Sequence, residues 1–175
     1  MLKIFCAPVT DLSGSATVFS LLERVFLAEF GGSFPDIKKT SAGKPYFPDR
    51  PEIHFSLSHT KTHVLCALSD NPVGVDIESP REVSERAVRF FCSPEEFLLF
   101  NPLDLWVLKE SYIKFVGKTL ALVKTIRFSR ENNRIIPPDK FAFSKLYHIE
   151  GCYAAVTTSS DCFPESIDLV LGSSS

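Results

Sequence analysis

Two short segments carry residues whose types and spacing suit chemistry. In residues 106–118, WVLKESYIKFVGK, Trp106, Glu110, Lys114 and Gly117 stand at i, i+4, i+8 and i+11. On a helix of 3.6 residues per turn these positions share a face. One acid, one base and one residue without a side chain then look the same way, and Leu108, Tyr112 and Phe115 lie opposite. Alone, a Glu–Lys pair one turn apart is a surface ion pair worth ~0.3–0.5 kcal/mol. The second segment, Gly74-Val75-Asp76-Ile77-Glu78, alternates. As a strand it sets Asp76 and Glu78 on one face, about 7 Å apart, where like charges repel. A hard cation between them removes that cost, and Mg²⁺, which takes oxygen ligands and few protein carboxylates, suits the pair. The simpler reading is two solvated acids at a strand end.

The elements that must position these residues follow from the pattern. A strand is predicted over 2–8. Ser13 or Ser15 caps a helix to about Phe30 with Phe19, Leu22, Phe26 and Phe30 as its stripe, and Gly31-Gly32 stops it. Residues 33–50 read as a loop rich in Pro and Gly. Residues 53–58 alternate, with Ile53, Phe55 and Leu57 against His54, Ser56 and Ser58. With a strand over 64–69 they form a hairpin whose tip holds Ser58 and His59; a lone histidine there is ordinarily just solvated. Asp70-Asn71-Pro72 is a turn, and a strand over 73–77 follows. A helix spans 84–91. Ser93-Pro94-Glu95-Glu96 is a capping box that accounts for Glu95 and Glu96 locally. The central helix starts at Asp104. Hairpins are predicted over 125–136 and 141–158, a last strand near Ile167, and a loose end over 172–175.

Strand, helix and hairpin thus occur twice, over 2–69 and 73–158. The fold class expected is α+β: two similar α/β lobes, 1–72 and 73–175, related by a pseudo-twofold, with the active site in the cleft between them.

Composition narrows the function. With 45% hydrophobic residues and 16 Phe a packed core is expected, and the net charge of -2 gives no general drive towards nucleic acid or a membrane. The five Cys are odd in number and no two are spaced C-x-x-C, which argues against a disulfide framework or a zinc site and for a cytoplasmic protein. The apolar run at the N-terminus is too short for a signal peptide, and no run approaches membrane-spanning length.

Four motifs occur in order: Gly43-Lys44-Pro45; Phe55-Ser56-Leu57-Ser58-His59; Gly74-Val75-Asp76-Ile77-Glu78; and Trp106-x-x-Lys109-Glu110-Ser111-x-x-Lys114. Together with Phe163-Pro164-Glu165-Ser166-Ile167 they resemble the 4'-phosphopantetheinyl transferase superfamily, in its two-lobed monomeric, surfactin-synthetase-activating type. The resemblance implies transfer of the phosphopantetheine arm of coenzyme A to a serine hydroxyl of an acyl or peptidyl carrier protein, with release of 3',5'-ADP. It implies that Asp76, Glu78 and Glu110 bind Mg²⁺, that Lys114 lies against the phosphates, that Ser58 and His59 contact phosphate, and that Lys44 and Pro45 border the adenine. Either Glu78 or Glu110, directly or through a bound water, would take the serine proton. Trp106 is expected to pack beneath the helix, and the role of Lys109 is open. Thr60 stands where the family commonly has a second serine, and Arg24, Lys38 and Lys39 are the basic residues upstream. A carrier is expected to dock near Lys118 and Lys124, with Arg86 and Arg89 as additions. The competing readings are a Mg²⁺-dependent hydrolase of coenzyme A or nucleotide pyrophosphates, and a non-catalytic coenzyme A-binding module.

Overall fold

The structure, a computed structural model, describes residues 1–9 and 13–171; the end predicted to be loose lies outside them. β1 (Leu2–Pro8) leads to α1 (Gly14–Phe30), which Ser13 caps by accepting from the Ala16 N–H. Its buried side runs through Val18, Leu21, Leu22, Val25 and Phe26, so the predicted stripe is centred correctly, but Phe19 and Phe30 only flank it. Gly31 ends the helix at φ 65°. Two short strands, β2 (Lys38–Lys39) and β3 (Pro45–Tyr46), pair within the segment expected to be loop.

β4 (His54–His59) and β5 (His63–Ser69) form the predicted hairpin. Thr60 closes its turn: its hydroxyl accepts from the N–H groups of Thr62 and His63. β6 (Val73–Glu78) follows, then α2 (Glu85–Phe91) and α3 (Pro94–Leu99) with the capping box in place. α4 (Pro102–Val116) starts two residues before the predicted Asp104, because Asn101 is its cap and Pro102 its first residue. A 3₁₀ turn (Leu120–Lys124) precedes β7 (Ser129–Glu131) and β8 (Arg134–Ile136), which shortens the hairpin expected from 125. β9 (Phe143–Ile149), β10 (Cys152–Thr158) and β11 (Asp168–Leu169) complete the chain.

Two sheets carry the architecture, in the orders β11-β1-β5-β4 and β6-β10-β9. In each, the first strand pairs antiparallel with the second strand of the later hairpin. α1 packs on one face of the first sheet through Leu22, Phe26, Phe55 and Leu68. The other face brings Ile4, Cys6, Leu65 and Ala67 against Val73, Val75, Ile77, Ala154 and Val156 of the second sheet. α4 covers the far side of the second sheet, with Leu105, Leu108 and Ala155 in one cluster. The class is α+β. Gly74, Asp76 and Glu78 share a face as predicted, and that face is turned to α4.

Gly74 sets how closely the helix approaches. A Cβ there would stand 2.0 Å from the Ser111 carbonyl oxygen and 2.3 Å from the Phe115 nitrogen. Only a residue without a side chain lets the helix backbone lie on the strand.

Candidate active site

β4 and β6 are edge strands of different sheets, and serine side chains join them. The Val75 N–H donates to Ser56 Oγ at 3.0 Å, and the Ile77 N–H to Ser58 Oγ at 3.4 Å. These edge amides would otherwise lack partners. Ser58 in turn donates to Asp76 Oδ1 at 2.7 Å.

From the other side α4 delivers Lys114, whose Nζ reaches the same Asp76 Oδ1 at 2.8 Å and the Leu57 carbonyl at 3.4 Å. Asp76 is buried, and a buried carboxylate needs such partners. Two turns earlier on α4, Trp106 donates its indole N–H to Glu78 Oε1 at 3.1 Å, while Arg81 approaches Oε2 at 3.5 Å. Trp106 also packs edge-on to Phe91. Expected only to fill space beneath the helix, it holds a carboxylate as well.

Glu110 lies between these two groups. Burial, with the Asp76 charge second, raises its carboxyl from 4.5 to about 7; Lys114 opposes the rise and Glu78 adds to it. Asp76, Glu78 and Glu110 are thus within electrostatic reach of one another. Among the described residues no group of three or more His, Cys, Asp or Glu is arranged to hold a metal ion, because Asp76 turns to Lys114 and Ser58 while Glu78 turns to Trp106 and Arg81. The donor set fits a small hard cation all the same: three carboxylates repel one another, and the raised Glu110 records a cost that a cation would offset.

A cavity of about 200 Å³ opens beside Lys114, walled by Gly43, Lys44, Pro45, Ser56, Gly117 and Lys118. The ammonium of Lys44 is committed to the Val73 and Phe115 carbonyls at 3.0 and 3.3 Å, and burial lowers it to about 8. It ties the loop to β6 and to the end of α4. His59 is exposed at the hairpin tip, away from that wall, with its ring against Gly14 at the start of α1. The structure therefore gathers Ser58, Asp76, Glu78, Glu110 and Lys114 around the β4–β6–α4 junction, sets Lys44 and Pro45 at the adjoining cavity, and leaves His59 apart.

Lys109 and Glu96 make a buried hub that the sequence did not reveal. Lys109 Nζ donates to Glu96 Oε2 and the Ile126 carbonyl, both at 2.9 Å, and to the Phe91 carbonyl. Glu96 also accepts from the N–H groups of Ser93 and Phe128. Glu96 is therefore far more than a helix cap. The hub ties α2, α3 and the segment before β7 to α4 at the residue next to Glu110. Its only signal in the sequence was a lysine placed on an otherwise apolar side of α4.

Residues 72–155 match the model of the 4'-phosphopantetheinyl transferase superfamily. The chain is 37% identical over 145 residues to the 4'-phosphopantetheinyl transferase Sfp of Bacillus subtilis (strain 168), a match covering 73% of this chain and 65% of Sfp. The chain is thus similar to members of the 4'-phosphopantetheinyl transferase superfamily over most of its length. The transferase psf-1 of Bacillus pumilus is 36% identical over the same length, covering 73% of this chain and 62% of the relative. The transferase gsp of Aneurinibacillus migulanus is 35% identical over 95 residues, 49% of this chain and 39% of the relative. The chain thus spans less than two thirds of the length of these family members. The family match holds β6, α4 and all three candidate carboxylates; Ser58 and the Lys44 cavity come before it.

Proposed function

We propose that this chain transfers the 4'-phosphopantetheine arm of coenzyme A to a serine hydroxyl of an acyl or peptidyl carrier protein, releasing 3',5'-ADP. One observation carries the reading: Asp76, Glu78, Glu110 and Lys114, drawn from two motifs of the family, come together beside a cavity bordered by a third, Lys44 and Pro45. Mg²⁺ is the cofactor on this reading, held by Asp76, Glu78 and Glu110, and it would stabilise negative charge developing on the pyrophosphate.

The protein's own groups have separate tasks. The serine oxygen forms a bond to the phosphorus bearing the pantetheine arm, and the phosphoanhydride bond to the 3',5'-ADP breaks. Glu110 is the candidate to take the serine proton, since both oxygens of Glu78 already face Trp106 and Arg81. Lys114 sets a positive charge between Asp76 and the cavity, where phosphates of the leaving group would lie.

The repeated strand order supports two lobes related by a pseudo-twofold, 1–72 and 73–175 except that β11 of the second crosses back to pair with β1, with the site in the cleft where β4 meets β6. The proposed protein is a cytoplasmic monomer that binds neither nucleic acid nor membrane. Among the described residues no helix is long and apolar enough to cross a membrane. The carrier is placed on the α2–α3 face. Phe90, Phe97 and Leu98 are exposed there beside Arg86 and Arg89, and the Lys124 ammonium lies 4.3 Å from the centre of the Phe90 ring.

Intact-protein mass spectrometry of an apo carrier domain incubated with this chain and coenzyme A tests the reading. A gain of one phosphopantetheine arm, only with Mg²⁺ and absent in Asp76→Ala, is expected. Cleaved coenzyme A without a gain would indicate a hydrolase, and intact coenzyme A without a gain a binding module.

A further inference from the structure

On its buried side α4 carries Ser111, a residue that favours caps and turns over a helix interior. Its hydroxyl and those of Thr157 on β10 and Ser144 on β9 form a chain. Ser111 Oγ donates to the Leu108 carbonyl at 2.9 Å, within its own helix. A hydroxyl has one proton to donate, and a carbonyl only accepts. Ser111 therefore accepts from Thr157 Oγ1 at 2.8 Å. Thr157, its proton spent, accepts from Ser144 Oγ at 2.8 Å. The protons run one way, from β9 through β10 to α4, and no other orientation satisfies all three contacts. Ser111 and Thr157 are fully buried, where a hydrogen bond is costly to leave unmade.

The hydroxyls meet α4 where the helix comes closest to the sheet. Thr157 is the register partner of Gly74 across β10 and β6. Gly74 admits the Ser111 carbonyl, and beside it Thr157 takes the Ser111 side chain. The first contact limits distance. The second is directional and sits on the next strand, so together they fix the rotation of α4 about its axis. That rotation decides where the neighbouring residues point. Glu110 precedes Ser111, and Lys114, which reaches Asp76 Oδ1 at 2.8 Å, follows three positions later. At a radius of ~5–6 Å, a turn of ~20° would carry a side-chain tip about 2 Å. A shift of that size breaks the Lys114 hydrogen bond and takes a carboxylate oxygen away from a cation that binds at ~2.1 Å. Thr158, the next residue, gives the contrast. It is buried too, but by strand alternation it faces away from α4, and its hydroxyl has no partner among the described residues.

We infer that Thr157 is a positioning residue for the site: through Ser111 it sets the rotation of α4 and so holds Glu110 and Lys114 towards Asp76. The inference rests on the proposed Mg²⁺ site, and the transferase reading enters only through the rate measurement.

The experiment compares wild type, Thr157→Val, Thr157→Ser and Thr158→Val. Mg²⁺ affinity is measured by calorimetry in the presence of coenzyme A, stability by thermal melt, and transfer by steady-state kinetics with an apo carrier. Thr157→Val keeps the branched shape and removes the hydroxyl. It is expected to weaken Mg²⁺ about tenfold, the order of one buried hydrogen bond, and to lower kcat while the KM for carrier stays. Thr157→Ser keeps the hydroxyl and loses a methyl group, so it should melt lower yet bind Mg²⁺ as wild type does. Thr158→Val should match wild type in Mg²⁺ affinity and rate. Metal affinity that follows the melting temperature across the set would mark a merely structural role and overturn the inference, as would unchanged Mg²⁺ affinity in Thr157→Val. If Thr157→Val does not fold, Ser111→Ala, which deletes the other hydroxyl of the same bond, takes its place with the same expectation. A wild type that binds Mg²⁺ but transfers no arm ends the transferase reading, and the affinity comparison alone then decides on Thr157. A wild type that takes up no metal overturns both.

Discussion

Glu110 is the residue whose environment is most at odds with its charge. Its carboxyl is held at about 7, against 4.5 ordinarily, by burial and by Asp76. The folded, metal-free protein therefore keeps a proton that the unfolded chain gives up at lower pH. Between about 4.5 and about 7 the unfolded state binds fewer protons, so stability falls as pH rises and levels off above about 7. Urea titrations at pH 5 and pH 8 should show the fall in wild type and a smaller one in Glu110→Gln; identical slopes would contradict the burial of this acid. If Glu110 is the base, the same substitution should also cut transfer by about 10²-fold or more, and wild-type kcat/KM should rise with pH towards a plateau.

At the scale of elements, the site depends on how close α4 lies to β6. Gly74 permits that contact, the Lys109–Glu96 hub fixes the helix from behind, and Lys44 clamps its C-terminal end. Gly74→Ala would drive a methyl group into the backbone of α4 at Ser111 and Phe115, contacts that no side-chain rotation relieves. Overpacking of this kind costs about 1–3 kcal/mol. The expected result is a lower denaturation midpoint together with loss of Mg²⁺ binding, since Glu110 and Lys114 would move away from Asp76 as a unit. A midpoint within error of wild type would show that the helix has room to shift. The Lys109–Glu96 pair is buried on both sides, and removing one partner of such a pair ordinarily costs about 3–5 kcal/mol through the charge left behind.

For the molecule as a whole, the proposed function raises the question of where a carrier protein would approach. Lys118 lines the cavity beside Lys114, so reversing its charge would disturb coenzyme A and carrier together. Lys124 stands over Phe90, and Leu98 is 84% exposed, both outside the cavity wall. Lys124→Glu and Leu98→Asp are therefore expected to raise the KM for carrier several-fold and leave that for coenzyme A unchanged. The Lys124 effect should shrink at high salt, where exposed charges are screened. Steady-state kinetics with each substrate varied in turn makes the distinction, and an unchanged carrier KM in both variants would move the docking face elsewhere.

The sequence by itself determined the main elements, their order and the chemistry available, but not the short β2–β3 pair or the 3₁₀ turn after α4. Alternation over 53–58 and 73–77, the caps at Ser13 and Ser93 and the breaks at Gly31 and Asn71-Pro72 are local signals, each set by a few neighbouring residues. The spacing that puts Glu110 and Lys114 on one face follows from helix geometry alone. Only the tertiary structure decided what those residues touch. That Ser58 and Lys114 meet on one oxygen of Asp76, that Trp106 holds Glu78, that Lys44 gives its ammonium to two carbonyls and that Lys109 finds Glu96 depend on contacts between residues 13 to 71 positions apart. A pattern read along the chain records which way a side chain faces. The partner it meets is set by how two sheets and a helix pack, and that packing is a property of the whole core.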